Sequence, residues 1–264
     1  MSKLITYTNP EITTPHPGST VSLPLGFGPV DLKSPRIFFF DIDNCLYKRS
    51  TKIHDMMQVK IHDYFTKTLN LNDEDAHSLH MNYYKTYGLA LEGLVRNHKV
   101  DALEYNSVVD DALDLNSVLS YDEKLRNMLI NIKKSGKYDT FWLLTNAYKN
   151  HALRVVSFLG IGDLFDGLTY CDYSQSPIIC KPMLPFFDNV VNITGSKDAK
   201  KISFIDDSEI NVKAAFKLGW GKVYHYIEID EEYEKIKAKE DFDEFYGEDK
   251  IIVLRDILDL EKFA

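Results

Sequence analysis

The 264-residue chain has few cysteines, fewer basic than acidic residues, and no apolar run long enough to cross a bilayer. Cys45, Cys171 and Cys180 form neither an even set nor a close-spaced pair, which indicates a reducing compartment rather than a disulfide framework. The 31 Lys and Arg residues against 40 Asp and Glu residues leave a net charge of −9, which argues against a nucleic acid polymer or an anionic membrane as partner. Because the N-terminus also lacks the pattern of a signal peptide, we expect a location in the cytoplasm or nucleus.

The first 35 residues contain most of the nine prolines, together with Thr, Ser and Gly. This composition predicts an irregular N-terminal leader over residues 1–35. The whole chain is 44% hydrophobic, which is enough for the core of one large domain that carries a small insertion.

Strand-like and helix-like segments alternate in the second half of the chain. We predict strands from residue 36 and at residues 140–145, 168–171, 201–206, 222–227 and 251–254. The predicted helices lie between them, at residues 121–135, 149–159, 181–194 and 208–218. Several strands are continuous apolar runs, as in strands that are covered on both faces. The alternation predicts an α/β fold, with a Rossmann-like parallel sheet and helices on both of its faces.

The segment between residues 50 and 118 breaks this alternation. It shows helical periodicity at residues 53–69, 73–87, 91–98 and 102–113, and no strand pattern. We therefore predict an α/β core from residues 36–49 and 119–264, with residues 50–118 inserted as a helical cap subdomain. The charged stretch at residues 230–250 is typical of an exposed helix or loop.

Polar residues follow the predicted strands, at the edge where ligands bind in open α/β sheets. They are Asp41, Asp43, Thr145, Asn146, Lys181, Asp206 and Asp207. Four carboxylates in one site need a cation, and Mg²⁺ prefers such hard oxygen ligands. A lysine, a hydroxyl and an asparagine can hold phosphate oxygens, and an aspartate can attack phosphorus. The sequence thus predicts Mg²⁺-dependent phosphoryl transfer with a small phosphorylated substrate.

The order of these groups resembles the four motifs of the haloacid dehalogenase superfamily. The motifs are Asp-x-Asp, a Thr at a strand end, Lys-Pro, and Asp-Asp-Ser, and the helical insert resembles the helical-cap subclass. The resemblance implies that Asp41 is the nucleophile and a Mg²⁺ ligand. It implies that Asp43 is the general acid and base, and a Mg²⁺ ligand through its backbone carbonyl. It also implies that Thr145 and Lys181 bind the phosphoryl group, that Asp207 is a direct metal ligand, and that Asp206 is a ligand or its neighbour.

The second aspartate of the first motif indicates the reaction type. An alkoxide leaving group needs a proton and a halide does not, so Asp43 favours ester hydrolysis over dehalogenation. We expect its pKa to be raised so that it holds a proton near neutrality. Cys45 stands where the superfamily usually has Thr, and no nearby His in sequence activates it as a nucleophile.

A narrower resemblance links residues 41–47, 83–90, 145–151 and 165–173 to the fungal pyrimidine 5′-nucleotidases. It implies a phosphatase that hydrolyses nucleoside 5′-monophosphates, first of all UMP and CMP, through an aspartyl-phosphate. A similar fungal enzyme hydrolyses lysophosphatidic acid, so a lysophospholipid or another small phosphomonoester is the alternative substrate. A non-catalytic binding protein of the same fold is disfavoured because the motif residues are intact.

The cap contains the candidates for substrate selection. We predict contacts to the base or ribose from Tyr84, Tyr87, Arg96 and His98. The alternatives are core packing for the two tyrosines and solvent exposure for the arginine and histidine. His151 falls in the first turn of a predicted helix, where a capping or surface role is expected. The sequence leaves the oligomeric state and the resting position of the cap open.

Overall fold

The structure, a computed structural model, describes residues 4–24 and 35–264. Its larger sheet has six parallel strands in the order β5-β4-β3-β6-β7-β8. A separate antiparallel hairpin joins β1 and β2. The strands are β1 (Leu4–Thr8), β2 (Thr20–Pro24), β3 (Ile37–Phe40), β4 (Thr140–Leu144), β5 (Gly167–Thr169), β6 (Ile202–Asp206), β7 (Lys222–Tyr226) and β8 (Ile252–Leu254). The predicted α/β fold with a parallel sheet is confirmed.

Helices cover the sheet and form the insert. They are α1 (Ile53–Leu69), α2 (Asp73–Tyr87), α3 (Ala90–His98), α4 (Ala102–Val108), α5 (Glu123–Lys134), α6 (Lys149–Leu159), α7 (Leu184–Thr194), α8 (Glu209–Lys217), α9 (Asp230–Lys237), α10 (Phe242–Phe245) and α11 (Leu260–Phe263). Their ends follow local chemistry. The side chain of Asp122 caps α5 by accepting the Leu125 N–H at 2.9 Å, and Gly160 ends α6 in the left-handed region at φ 72°. Within residues 4–24 and 35–264, the helices lack the length and hydrophobicity of a membrane-spanning segment.

The central strands β3, β4 and β6 are buried along their whole length. Alternate residues feed two separate cores because successive side chains of a strand point to opposite faces. Phe38 and Phe40 of β3 belong to the core on one face, whereas Ile37 and Phe39 belong to the core on the other. This arrangement explains the continuous apolar runs and fixes the carboxyl ends of the three strands side by side.

The four helices α1–α4 occupy the predicted insert and share a third core. Phe65 and Leu91 are fully buried there, together with Tyr173, Ile178 and Cys180 from the loop after β5. The insert therefore packs against the loop that leads to Lys181. We propose that these four helices form the cap subdomain that the sequence predicted.

The N-terminal segment differs from the prediction. An irregular leader was expected over residues 1–35, but residues 4–24 contain the β1–β2 hairpin, in the register Leu4↔Pro24 to Thr8↔Thr20. Val21 and Leu23 alternate with polar residues and are buried in the core, so their apolar period of two outweighs the proline-rich composition. Residues 1–3 and 25–34 of that prediction lie outside the described residues.

Two helix boundaries also differ. The predicted helix at residues 181–194 begins only at Leu184, with Pro185 in its first turn, so Lys181 lies in the preceding loop. The predicted helix at residues 102–113 ends at Val108. The charged stretch at residues 230–250 contains the short helices α9 and α10, and no residue of α9 is buried.

Candidate active site

The predicted residues of the core converge at the carboxyl edge of the sheet. Asp41 directly follows β3, and its N–H donates to the carbonyl of Ile205 in β6 at 3.0 Å. Thr145 directly follows β4, and Asp206 is the last residue of β6. Because these strands are neighbours in the sheet, residues that are far apart in sequence face one site.

Lys181 links two of these strand ends. Its Nζ atom lies 2.6 Å from Oδ1 of Asp41, 2.6 Å from Oδ2 of Asp206 and 2.7 Å from the carbonyl oxygen of Leu144. The lysine is only 1% exposed, so burial disfavours its charge, but the carboxylates of Asp206 and Asp41 outweigh this and raise its pKa. Lys181 is therefore a fixed positive charge between two carboxylates.

Asp41, Asp206 and Asp207 form an acidic cluster in which one oxygen of each lies within 4.8 Å of the others. Burial raises the pKa of Asp41 strongly, Lys181 opposes this, and the neighbouring carboxylates add to it. Burial, followed by the carboxylate of Asp206, raises the pKa of Asp207 to about 8. The cluster thus contains more negative charge than one lysine balances.

The hydrogen bonds of the cluster distinguish its members. Asp206 accepts from Lys181, from the N–H of Ser208 at 2.8 Å and from Nδ2 of Asn211 at 3.0 Å. The carboxylate of Asp207 accepts no hydrogen bond from the part of the chain that the structure describes, whereas its backbone carbonyl accepts one from Nε2 of His225 at 2.9 Å. The carboxylates of Asp41 and Asp207, with unused oxygen lone pairs, match the donor set of a hard divalent cation, whereas Asp206 mainly anchors Lys181.

Asp43 stands apart from this cluster. Its Oδ1 atom accepts hydrogen bonds from the hydroxyl of Tyr47 and from Nε2 of His151, each at 2.7 Å. Burial favours the neutral acid, but His151 and Tyr47 outweigh burial and lower the pKa of Asp43. The expectation of a raised pKa was therefore wrong for the free site. Metal binding through the backbone carbonyl of Asp43 stays a prediction.

His151 is fully buried in the first turn of α6, so the expected capping or surface role was wrong. Burial disfavours its charged form, but the carboxylate of Asp43 outweighs this and raises the pKa of His151. Its Nδ1 atom has no hydrogen-bond partner among the described residues. The sequence signal for this role was the position of His151 six residues after Thr145, at a helix start that faces the same sheet edge.

The loop after β4 differs from the prediction in one respect. Thr145 is 1% exposed, and its Oγ1 atom accepts the N–H of Ala147 at 3.0 Å. The side-chain amide of Asn146 pairs with the backbone of Lys181, donating to its carbonyl at 2.8 Å and accepting its N–H at 2.7 Å. These contacts position Lys181, and the predicted binding of phosphate by Asn146 stays a prediction.

Cys45 is fully buried beside this site. Burial, reinforced by the nearby carboxylates, raises the pKa of its thiol well above the ordinary value. The thiol therefore stays protonated and is a poor nucleophile, in agreement with the sequence interpretation.

A cavity of about 210 Å³ lies between the cap and this edge of the sheet. Asp41, Asp43, Lys181 and Asp207 line it on the core side, and Tyr84 lines it on the cap side. Tyr84 thus lies where a substrate contact was predicted, and the contact itself stays a prediction.

The other three predicted cap residues are not among those that line the cavity. Tyr87 lies beneath the guanidinium of Arg96, 5.3 Å from its ring centroid to the guanidinium carbon. Arg96 pairs with the buried carboxylate of Glu92, and Nε2 of His98 lies 2.7 Å from the hydroxyl of Tyr83. The three residues thus contact other cap residues, and their predicted contacts to the substrate stay predictions.

Several cavity residues were missed by the sequence interpretation. They include His54, His80, Tyr105, Asp110 and Tyr173. They come from four separate segments, and no short motif connects them, so no signal in the sequence marks them as one surface. Asp110 is a buried acid, 3% exposed, and Tyr173 supplies its hydrogen bond.

Comparison with known proteins supports the fold and identifies the family. A protein-family model described as haloacid dehalogenase-like hydrolase matches residues 35–219. The chain is 43% identical over 232 residues to "Phosphate metabolism protein 8" of Saccharomyces cerevisiae, which covers 85% of this chain and 71% of that protein.

Solved structures show the same fold at low sequence identity. The putative HAD-hydrolase YfnB from Bacillus subtilis, solved bound to magnesium, has a TM-score of 0.53 and 13% identity, over 88% of this chain and 99% of that one. A haloacid dehalogenase-like family hydrolase from Xanthomonas campestris has a TM-score of 0.52 and 14% identity, over 90% of this chain and 95% of that one.

Proposed function

This chain belongs to the haloacid dehalogenase-like hydrolases, and from this membership we propose that it is a Mg²⁺-dependent phosphatase of nucleoside 5′-monophosphates, first of all UMP and CMP. The observation that carries the proposal is the separation of two carboxylates within one site. Asp41 contacts Lys181 within the acidic cluster, whereas Asp43 contacts His151 outside it. These different surroundings support the proposal that Asp41 attacks and Asp43 transfers a proton.

The acidic cluster fits the proposed cation. Asp41 and Asp207 would hold Mg²⁺ through carboxylate oxygens, and Asp206 would keep Lys181 in place beside them. The bound ion would supply positive charge for the phosphate oxygens and for the negative charge that develops on them during the reaction.

The proposed reaction has two steps that the residues of the chain carry out. The carboxylate of Asp41 attacks phosphorus, the bond from phosphorus to the ester oxygen breaks, and Asp43 passes to that oxygen a proton that it takes from Nε2 of His151, whose pKa is raised. Water then attacks the aspartyl-phosphate and gives a proton back to Asp43, which releases phosphate and restores Asp41. Lys181 stabilises the transferring group, and the Nε2–H of His151 orients Asp43 and can resupply its proton.

The cap wall of the cavity supports a nucleoside as the leaving group. It contains the rings of Tyr84, Tyr105 and His80, which can stack on a planar base and also form hydrogen bonds. A lysophospholipid would place an acyl chain against these polar aromatic groups. The cap therefore favours the nucleotide over the lipid alternative.

The test is a phosphate-release screen with Mg²⁺ across UMP, CMP, AMP, nicotinamide mononucleotide and lysophosphatidate. We expect the highest kcat/KM for the pyrimidine nucleotides, and the Asp41→Asn variant should lose about 10⁴-fold or more, as nucleophile removal does in other hydrolases. Rapid turnover of lysophosphatidate without turnover of any nucleotide would overturn the substrate proposal. Full activity of the Asp41→Asn variant would overturn the proposed nucleophile.

A further inference from the structure

Asp110 is a cavity carboxylate that the proposed reaction does not use. It follows α4 by two residues, in the segment that leads from the cap back to the core, and it is 3% exposed. It nevertheless lines the cavity that contains Asp41 and Asp43. A carboxylate in such a place needs hydrogen-bond donors, because an unsatisfied buried acceptor is costly.

Only one of the two carboxylate oxygens of Asp110 receives a hydrogen bond from the protein. The hydroxyl of Tyr173 donates to Oδ2 of Asp110 at 3.2 Å and lies 3.3 Å from the carbonyl oxygen of Asn146. The Oδ1 atom of Asp110 has no hydrogen-bond partner within residues 4–24 and 35–264. A nearly buried carboxylate with one open oxygen toward a cavity is suited to accept hydrogen bonds from a bound molecule.

Hydrogen bonds link the surroundings of Asp110 to those of Asp43: the neighbouring Asp111 accepts from Asn150, and His151, the next residue, contacts Asp43, so both acids line the same end of the cavity. Burial raises the pKa of Asp110 to about 6, with His151 opposing and Asp43 adding to the shift. Asp110 in turn adds to the raised pKa of His151, after the larger effects of burial and Asp43. Since Asp43 is placed at the oxygen of the leaving group, Asp110 lies near the part of the leaving group that follows this oxygen.

The chemistry of this position restricts the leaving group. Two neighbouring carboxylates repel a second phosphate, and the glycerol of a lysophosphatidate offers them only one free hydroxyl, followed by an acyl chain without donors. A sugar with vicinal hydroxyls offers two donors to a carboxylate. In a nucleoside 5′-monophosphate, the ribose is the part directly attached to the ester oxygen.

We propose that Asp110, held by Tyr173, binds the ribose hydroxyls of the substrate and so selects ribonucleotides over deoxynucleotides and lipid phosphates. This inference rests on the proposed phosphatase function and assigns the residue that reads the sugar. Asp110 is a specificity-determining residue, whereas the bond-breaking chemistry belongs to Asp41 and Asp43.

The test compares paired substrates that differ by the 2-hydroxyl, namely UMP with dUMP, and ribose 5-phosphate with 2-deoxyribose 5-phosphate. For each pair the ratio of kcat/KM values is measured for wild type, Asp110→Asn and Tyr173→Phe. We expect a wild-type ratio of about tenfold or more, as for loss of a hydrogen bond to a charged group. The ratio should fall toward one in Asp110→Asn and decrease partly in Tyr173→Phe. Because Tyr173→Phe keeps the aromatic ring, it tests the ribose contact even if Asp110→Asn folds poorly.

Asp111→Asn is the matched control. It removes the same charge one residue away, from a carboxylate that accepts hydrogen bonds from Asn106 and Asn150 and does not line the cavity. This control should keep the wild-type ratio. An equal ratio in wild type and Asp110→Asn, or a wild-type ratio of one, overturns the role of Asp110.

The two substrate pairs separate this inference from the proposed nucleotide specificity. Turnover of ribose 5-phosphate without turnover of UMP would contradict the nucleotide proposal. In that case the kcat/KM ratio of the two sugar phosphates would still test the ribose contact. A lower ratio in Asp110→Asn than in wild type would support it.

Discussion

The Nε2 atom of His151 lies 2.7 Å from the Oδ1 atom of Asp43, although 108 positions separate the two residues in sequence. Tyr47 donates to the same oxygen from the other side. These two donors fix the carboxylate at the edge of the cavity, apart from the acidic cluster of Asp41, Asp206 and Asp207. The predicted nucleophile, Asp41, and the predicted proton donor, Asp43, therefore have different surroundings.

Loss of His151 should impair proton transfer to the leaving group. We expect His151→Gln to lower kcat for UMP by about 100-fold, at the lower end of the range for general acid catalysis. The loss should be smaller for p-nitrophenyl phosphate, whose leaving group departs without a proton. Steady-state kinetics with both substrates test this, and an equal loss for the two would assign His151 a purely structural role.

The two aspartates of the fourth motif should respond differently to substitution. Activity should disappear with EDTA and return with Mg²⁺. The Asp207→Asn variant should need about 10–100-fold more Mg²⁺ for half-maximal activity, as weakening of a metal site does. Metal titrations of the phosphatase rate measure this. An unchanged Mg²⁺ requirement would exclude Asp207 as a ligand.

The Asp206→Asn variant should mainly lose stability. Asp206 and Lys181 are both fully buried, and breaking one side of a buried pair costs about 3–5 kcal/mol. Chemical denaturation without added metal would show this loss. The Asp207→Asn variant is the matched control and should unfold at a denaturant concentration no lower than wild type, because burial and Asp206 oppose its charge.

His225 should make the folding stability depend on pH. It is fully buried between the carbonyl of Asp207 and the hydroxyl of Tyr246, and burial lowers its pKa from 6.5 to about 4. Above pH 6.5 the imidazole of His225 is neutral in both the folded and the unfolded chain. Between pH 6.5 and about 4, only the unfolded chain binds a proton at this imidazole. Stability is therefore lost as the pH falls from about 6.5 to about 4, by about 3 kcal/mol in total.

Denaturation at several pH values, compared with His225→Gln, measures this contribution. The variant should lose less stability than wild type over the same pH interval. The exposed His77 offers a control, and His77→Gln should follow the wild-type curve. Parallel curves for wild type and His225→Gln would refute the assignment.

Tyr84 and Tyr87 lie one turn apart on α2 and should have separable roles. Tyr84→Ala should raise KM for UMP about tenfold, in the range of one lost base-stacking contact, with a small change in melting temperature. Tyr87→Ala should lower the melting temperature and leave KM near wild type, because Tyr87 packs on Tyr83 and Arg96. The opposite pattern would assign the substrate contact to Tyr87 instead of Tyr84.

The core of the site was predictable because local sequence determines it. A buried parallel strand must be apolar along its length, so the first polar residues after β3, β4 and β6 mark the sheet edge. Asp41 and Asp206 are found there. Lys181 reaches the same edge from a loop rather than from the predicted helix, and its ammonium still lies between these two acids.

The cap was harder to interpret because helical periodicity indicates that a face is buried but not what covers it. Tyr84, Tyr87, Arg96 and His98 all had suitable chemistry, and only Tyr84 lines the cavity. The hairpin at residues 4–24 was missed because the proline-rich composition predicted an irregular segment, although Val21 and Leu23 alternate with polar residues as in a strand.

The sequence by itself determined the parallel sheet, the helical insert and the residues at the strand ends, because strand and helix periods and the polarity of strand termini are local properties. Only the tertiary structure decided that His151 faces Asp43, that Asn146 holds Lys181, and that Asp110 opens into the cavity. These contacts join segments separated by 35 to 108 positions, or join the cap to the core. Such contacts depend on how packed layers meet in space, and no spacing along the chain records them.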